Sequence, residues 1–255
     1  MNKAQRFQEI VDIVNMEGKI SVNDLSDIFK VTPETIRRDL DEIQNLKLIT
    51  RIHGAAIPYV QPEAEMIFEK KMNQHRQLKE RICHQALQFI NDSDLIAVDV
   101  GTTTVHLGDQ IEGVKDLTVV TNSLASALSF NQAIEEGRIT GQVIILPGYT
   151  NPPQASIKGS YTVEFLRKFH INKAFISCGG LTNQSIYDFD IDETMVSLTM
   201  IENSEKSYLL TDSSKINHRR MFEIAPTDSV DYILCDQKKP HNWDIRPQWI
   251  QVSDH

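Results

Sequence analysis

The chain has 255 residues, 40% of them hydrophobic and 24% charged, which is enough for one large or two unequal globular units. No apolar run approaches the roughly 20 residues that a membrane span requires. The start Met1-Asn2-Lys3-Ala4-Gln5-Arg6 lacks the apolar core of a signal peptide, and the cysteines Cys83, Cys178 and Cys235 form no CxxC or zinc pattern. A cytoplasmic chain with reduced thiols, no membrane partner and no cofactor is therefore expected.

The net charge of −9 excludes a globally basic nucleic-acid binder. Through Pro58, however, eight basic residues nearly balance nine acidic ones, so any DNA affinity there must come from where the charges point. Phe7, Ile10, Val11 and Val14 lie at i, i+3, i+4 and i+7, predicting a helix over residues 3–17. Gly18 ends it, because glycine readily turns left-handed past a helix C-terminus. Ser21 as N-cap, with Asp24 three positions on, opens a second helix with Leu25, Ile28 and Phe29 on its buried face. After the Lys30-Val31 turn, Thr32 caps a third helix, Pro33 takes its first position, and Ile36, Leu40 and Ile43 form its stripe.

Two short helices joined by a tight turn behind a supporting helix describe a helix-turn-helix, whose second helix lies in the major groove. Its early residues here are Thr32, Glu34, Thr35, Arg37 and Arg38. Arginine suits both bidentate contact to guanine and contact to phosphate. Asp39 is expected to orient an arginine or support the fold. The alternation in Ile49–Pro58 predicts a hairpin, a wing with Arg51 and His53 as backbone contacts. The competing reading is a three-helix domain that binds protein, with the arginines on a solvated face.

Residues 59–67, including Gln61-Pro62-Glu63, read as a linker between a DNA-binding domain at 1–58 and a second domain at 68–255. From Phe68 to Ile90 the pattern is helical, and its basic residues Lys70, Lys71, Arg76, Lys79 and Arg81 are expected on a solvated face. Leu95–Val100 predicts a buried strand running into Gly101-Thr102-Thr103-Thr104. A glycine and hydroxyls at a helix start form an anion site in principle. The pattern repeats in looser form. Strands are predicted at Leu117–Thr121, Val143–Leu146, Lys173–Cys178, Ser207–Thr211 and Val230–Asp236, and helices after Ser123, over Gly159–Phe169 and over Asp192–Asn203.

Strands alternating with helices predict an α/β fold with a mostly parallel sheet, and ligands in such sheets sit outside the strand carboxyl ends. The polar residues collect there: Asp99, Gly101, Thr102, Thr103, Thr104, Thr121, Asn122, Gly179, Gly180, Glu193, Asp212 and Lys215. Lys215 suits a phosphate, and Asp99, Asp212 and Glu193 suit hydroxyl protons, so a sugar phosphate fits. The histidines are scattered, with no H-x-x-H or H-E-x-x-H, so no metal site is expected.

The runs Val31-Thr32-Pro33-Glu34-Thr35-Ile36-Arg37-Arg38-Asp39-Leu40 and Arg51-Ile52-His53-Gly54-Ala55 resemble the winged helix-turn-helix of the DeoR family of bacterial regulators. Ala97–Thr104, Thr118–Ser123 and Thr211–Lys215 resemble that family's sensor domain, which is similar in fold to ribose-5-phosphate isomerases. The resemblance implies a DNA-binding repressor of a carbohydrate operon, controlled by a phosphorylated sugar. It is expected to act as a homodimer or homotetramer assembled through the α/β domains, on double-stranded operator DNA. The rival expectation is an isomerase-like enzyme with an added helix-turn-helix.

Overall fold

The structure is a computed structural model that describes residues 3–46, 48–52, 54–58 and 65–253. The chain divides into two compact units, Met1–Ala64 and Glu65–His255.

The first unit runs α1 (Lys3–Glu17), β1 (Ile20–Ser21), α2 (Val22–Phe29), α3 (Pro33–Asn45), β2 (Ile49–Ile52) and β3 (Ala55–Pro58). Local chemistry sets its boundaries. Ser21 accepts the Asp24 N–H at 3.1 Å, and Thr32 accepts the Thr35 N–H at 3.2 Å, supplying partners to amides that a helix start leaves unpaired. Lys30 takes the left-handed conformation (φ 51°) that ends α2, and Ser26 Oγ donates to the Val31 carbonyl at 2.6 Å across the turn. Ile10, Val14, Leu25, Ile36, Leu40, Ile43 and Ile49 make a fully buried core, as the 3.6-residue period requires. Ile28 is the exception. It is 53% exposed, and Val22 and Ser26 are buried on α2 instead.

Strands β2 and β3 pair antiparallel, with Ile52 opposite Ala55 and Gly54 at φ +69° in the turn. β1 adds to β3, making a three-stranded sheet ordered β1-β3-β2. Asp39, nearly buried on α3, accepts two hydrogen bonds from the Arg6 guanidinium of α1, at 2.6 and 3.1 Å. Asp39→Ala leaves that guanidinium without its buried partner and should cost about 3 kcal/mol of unfolding free energy. Denaturant titration checks it; a loss under about 0.5 kcal/mol, typical of a surface change, would contradict this role.

The second unit begins with α4 (Phe68–Asn73) and α5 (Arg76–Leu87). The single helix expected over residues 68–90 is broken at Gln74-His75, where His75 adopts φ 52°. Then follow β4 (Leu95–Val98), α6 (His106–Gln110), β5 (Leu117–Thr121), α7 (Leu124–Glu135), β6 (Gly141–Ile145), β7 (Tyr149–Asn151), β8 (Ser156–Lys158), α8 (Ser160–Leu166), β9 (Ile171–Ile176), β10 (Gly180–Leu181) and β11 (Ser185–Asp188). The last elements are α9 (Ile191–Glu202), β12 (Ser204–Leu210), β13 (Phe222–Pro226), β14 (Tyr232–Cys235) and β15 (Gln248–Gln251). Glu65, Met66 and Ile67, read from the sequence as linker, fall in this unit.

Seven strands form a sheet ordered β15-β14-β12-β9-β4-β5-β6, with every neighbouring pair parallel. Successive side chains of a strand face opposite sides, so a sheet covered on both faces needs unbroken apolar strands. Ile96, Val98 and Phe175 join one core with Ile82 and Phe130 of the flanking helices; Ala97, Ala174 and Ile176 join the other with Leu166, Val196 and Met200. β15 lies beyond the last strand expected from the sequence, where only Trp249 and Ile250 are apolar. Two antiparallel pieces were also not anticipated: the β7-β8 hairpin and a sheet ordered β10-β11-β13.

β4 neighbours both β5, which follows it in the chain, and β9, which arrives only after the chain has run out to β6. The order reverses between β4 and β9, so the crevice outside their carboxyl ends is the topological switch point of the sheet. No helix among the described residues is long and apolar enough to cross a membrane.

Candidate functional site

On α3 the side chains of Arg37 and Arg38 are 51% and 79% exposed. Glu34 lies between them, 3.3 Å from Arg37 and 3.9 Å from Arg38. Exposed pairs of this kind contribute little stability, so the guanidinium groups are available to another anion. Thr32 and Thr35 share a hydroxyl hydrogen bond of 2.9 Å at the start of the same helix. Arg51 of the hairpin is less free. It is ion-paired to Asp41 of α3, and its N–H donates to Gln44 Oε1 at 2.8 Å. His53 lies outside the described residues.

In the second unit a cavity opens at the switch point. The loops after β4 (Val100–Thr103) and β9 (Ser177–Gly179) form its floor, Asp212 and Lys215 follow β12, and Asp188, Phe189 and Glu193 flank it. The remaining wall is Glu65, Phe68, Lys71, Gln74, His75 and Lys79, from the start of the unit through α5, together with Gln154. The floor is tightly built. A Cβ on Gly101 would collide with the Ser177 side chain, so the two loops approach as only glycine permits. Helix α5 is stitched to the same loop: Lys79 Nζ donates to Thr102 Oγ1 at 2.9 Å and Cys83 Sγ to the Thr103 carbonyl at 2.8 Å.

Of the twelve residues expected at this site, Gly101, Thr102, Thr103, Gly179, Glu193, Asp212 and Lys215 border the cavity. The others serve the frame. Asp99 is 1% exposed; its carboxylate accepts the Ser177 N–H at 2.8 Å and the Thr104 hydroxyl at 3.1 Å, tying the loop after β4 to the end of β9. Burial holds its pKa up to about 6, against these hydrogen bonds. Thr104 is buried with it. Thr121 Oγ1 donates to the Val98 carbonyl at 2.6 Å, and Asn122 Nδ2 to that of Ile157 at 3.1 Å. Gly180 is packed against the His218 carbonyl, where a Cβ would not fit. None of these five borders the cavity; the carboxylate of Asp99 and the hydroxyls of Thr104 and Thr121 are engaged within the chain, while Asn122 Oδ1 is buried without a partner.

Lys79, expected from the sequence on a solvated face, is 4% exposed. Burial draws its amine down to about 8; Asp212 opposes this, and Lys215 and Lys71 reinforce it. A signal was present: Lys79 falls at i, i+3, i+4, i+7 with Ile82, Cys83 and Ala86, the buried stripe of α5. Asp188 was missed too. Burial pushes its carboxyl up to about 7, Phe189 N–H and Lys71 opposing, Glu65 and Glu193 adding to the rise. Glu193 is also raised by burial, although Asn151 Nδ2 at 2.9 Å and the Ser156 hydroxyl donate to it. Asp212 accepts the Ser214 N–H at 2.9 Å, capping the turn that carries Lys215.

Three lysines and a glycine-containing loop face four carboxylates across one cavity, a donor set for a small molecule bearing both an anionic group and hydroxyls. With a winged helix-turn-helix on the same chain, these features define the class: a DNA-binding transcription regulator with a small-molecule cavity. The chain belongs to the DeoR family. A family model described as a DeoR-like helix-turn-helix domain matches residues 6–59, and one described as the DeoR C terminal sensor domain matches residues 74–237.

An uncharacterized HTH-type transcriptional regulator of Staphylococcus epidermidis is 40% identical, over 97% of this chain and 98% of its own. The glycerol-3-phosphate regulon repressor of Escherichia coli is 29% identical, over 94% of this chain and 93% of its own. Among solved structures, ribose 5-phosphate isomerase A of Neisseria gonorrhoeae aligns at 15% identity and a TM-score of 0.40, over 58% of this chain and 56% of that one, a likeness too distant to bear on chemistry.

Proposed function

We propose that this protein is a cytoplasmic repressor of a carbohydrate operon, and that a phosphorylated sugar or polyol in the switch-point cavity changes its affinity for operator DNA. Thr32, Glu34, Thr35, Arg37 and Arg38 meet the major groove, with the hairpin residues Arg51 and His53 beside the backbone. In the cavity, Lys71, Lys79 and Lys215 take the phosphate, and Glu193 and Asp212 take hydroxyls. The observation that carries this reading is the gathering of these three lysines around the Gly101–Thr103 loop at the switch point. A homodimer or homotetramer presents paired recognition helices to repeated half-sites. Ligand and DNA are coupled by about 1–3 kcal/mol, or roughly 5- to 150-fold in affinity. The name of the glycerol-3-phosphate regulon repressor supports the ligand class. The cavity binds and does not turn over its ligand; the DNA-binding unit gives the cavity its purpose without catalysis.

Fluorescence anisotropy on DNA from upstream of the chain's own gene, titrated with sugar and polyol phosphates, tests the proposal. One compound that weakens a specific complex supports a repressor released by its ligand. A compound that tightens it reverses the sign, and no specific complex at all removes the proposal.

Ligand binding should also depend on pH with a predictable sign. A phosphate monoester gains its second charge near pH 6, which strengthens binding. Asp188 becomes charged at about 7 and Lys79 loses its charge at about 8, and both changes oppose a dianion. Glu65, Lys71, Glu193, Asp212 and Lys215 face the same space. Affinity should therefore peak between pH 6 and 7 and be about tenfold lower by pH 9, a change of about 1.4 kcal/mol. Asp188→Asn should remove the first part of the decline. Calorimetric titrations that stay flat from pH 6.5 to 9 would contradict the charge assignment.

A further inference from the structure

We infer that Glu65 is a resident counter-ion of this cavity: its carboxylate pairs with Lys71, and a phosphate-bearing ligand binds by displacing it. The inference rests on the reading of the cavity as a phosphate site and adds to it a built-in competitor.

Glu65 Oε1 lies 2.6 Å from Lys71 Nζ, with both side chains largely withdrawn from solvent, at 17% and 24% exposure. Both residues line the cavity that also holds Lys79 and Lys215. Lys71 is engaged at both of its polar ends, since its carbonyl accepts Lys79 Nζ at 2.6 Å. The pair therefore sits on the same frame as the buried lysine. Glu65 is also an unfavourable neighbour for the rest of the wall, because its charge helps to push the Asp188 and Glu193 carboxyls up. Three acidic groups crowd one side of the cavity, and Lys71 is the cation that Glu65 reaches.

A phosphate monoester offers Lys71 up to two negative charges and three acceptor oxygens where Glu65 offers one charge and two. It is the stronger partner, and its arrival frees Glu65 into an acidic neighbourhood that does not retain it. Just beyond Glu65 the chain is held by Gln154 Nε2, which donates to the Met66 carbonyl at 3.2 Å, and by the burial of Phe68. The release is thus confined to the first residues of the second unit.

The test titrates the full-length chain with inorganic phosphate by calorimetry. A seat open one-tenth of the time loses about tenfold in apparent affinity, so Glu65→Gln should tighten phosphate roughly tenfold. Glu65→Asp keeps the charge but shortens the reach to Lys71, and should tighten it severalfold; a purely long-range effect of the charge would leave it unchanged. Lys71→Met should weaken phosphate in either background. Wild-type binding that Lys79→Met weakens, with Glu65→Gln and Glu65→Asp both unchanged, would overturn the inference and keep the phosphate site. Absence of phosphate binding in the wild type and in Glu65→Gln would overturn both.

Discussion

Replacing Arg37 or Arg38 with alanine is expected to weaken operator binding roughly 5- to 150-fold while leaving ligand affinity in the cavity unchanged, the range of one lost bidentate arginine–base contact at about 1–3 kcal/mol. Both side chains leave the helix on its exposed side, whereas Ile36 and Leu40 are fully buried. Truncation therefore removes a contact to DNA without opening the core. What each arginine lost is lost only from surface pairs with Glu34, which contribute little to folding. The two arginines need not act alike. One that meets a base should relax sequence preference at a single position when replaced, and one that meets a phosphate should weaken all sequences alike and lower the salt slope by about one. Anisotropy at several salt concentrations on operator and scrambled DNA separates these results. Normal operator binding by both variants would mean that α3 is not the recognition helix.

Lys79→Met is expected to lower phosphate-ligand affinity by tenfold or more, about 1.4 kcal/mol or above, and to abolish the ligand response while leaving the ligand-free protein bound to DNA. Methionine keeps the length and apolar stem that α5 buries. It gives up two hydrogen bonds, to the Lys71 carbonyl and Thr102 Oγ1. It also removes a buried charge that the fold disfavours. The sign follows from the amine's pKa, which is about 8 here against 10.5 in an unfolded chain. Between these values the folded chain binds fewer protons than the unfolded one, so the penalty carried by Lys79 is full below pH 8 and relieved by about pH 10. The stability of Lys79→Met relative to wild type should accordingly be most favourable near neutral pH and decline toward pH 10. Lys215→Met should share the ligand defect. A normal ligand response in both variants would exclude the cavity as the sensing site.

Much of this molecule follows from short-range signals. The caps Ser21 and Thr32, Pro33 at the start of α3 and the stripe Ile36-Leu40-Ile43 act within one or two turns, so the helix-turn-helix is readable residue by residue. The apolar strands at Leu95, Leu117, Lys173, Ser207 and Tyr232 likewise announce a sheet buried on both faces, and the alternation with helices places the cavity at the strand ends. Ile28 escapes the first argument because helical period alone cannot tell how wide the buried stripe is. β15 escapes the second because an edge strand with only two apolar residues carries almost no pattern.

Side-chain roles in the cavity depended on long-range neighbours. Asp99 and Asp188 are both acidic residues near strand ends, yet one is sealed into the frame by Ser177 and Thr104 and the other faces the cavity. Lys79 reads as one more surface cation until α5 packs against the loop after β4 and removes its amine from water. The amino-acid sequence by itself determined the helix-turn-helix and the alternation of strands and helices in the second unit, because periodicity and capping are properties of adjacent residues. Only the tertiary structure decided which charges are buried, which carboxylate holds which lysine and where the strand order reverses, because burial and strand adjacency join residues far apart in the chain.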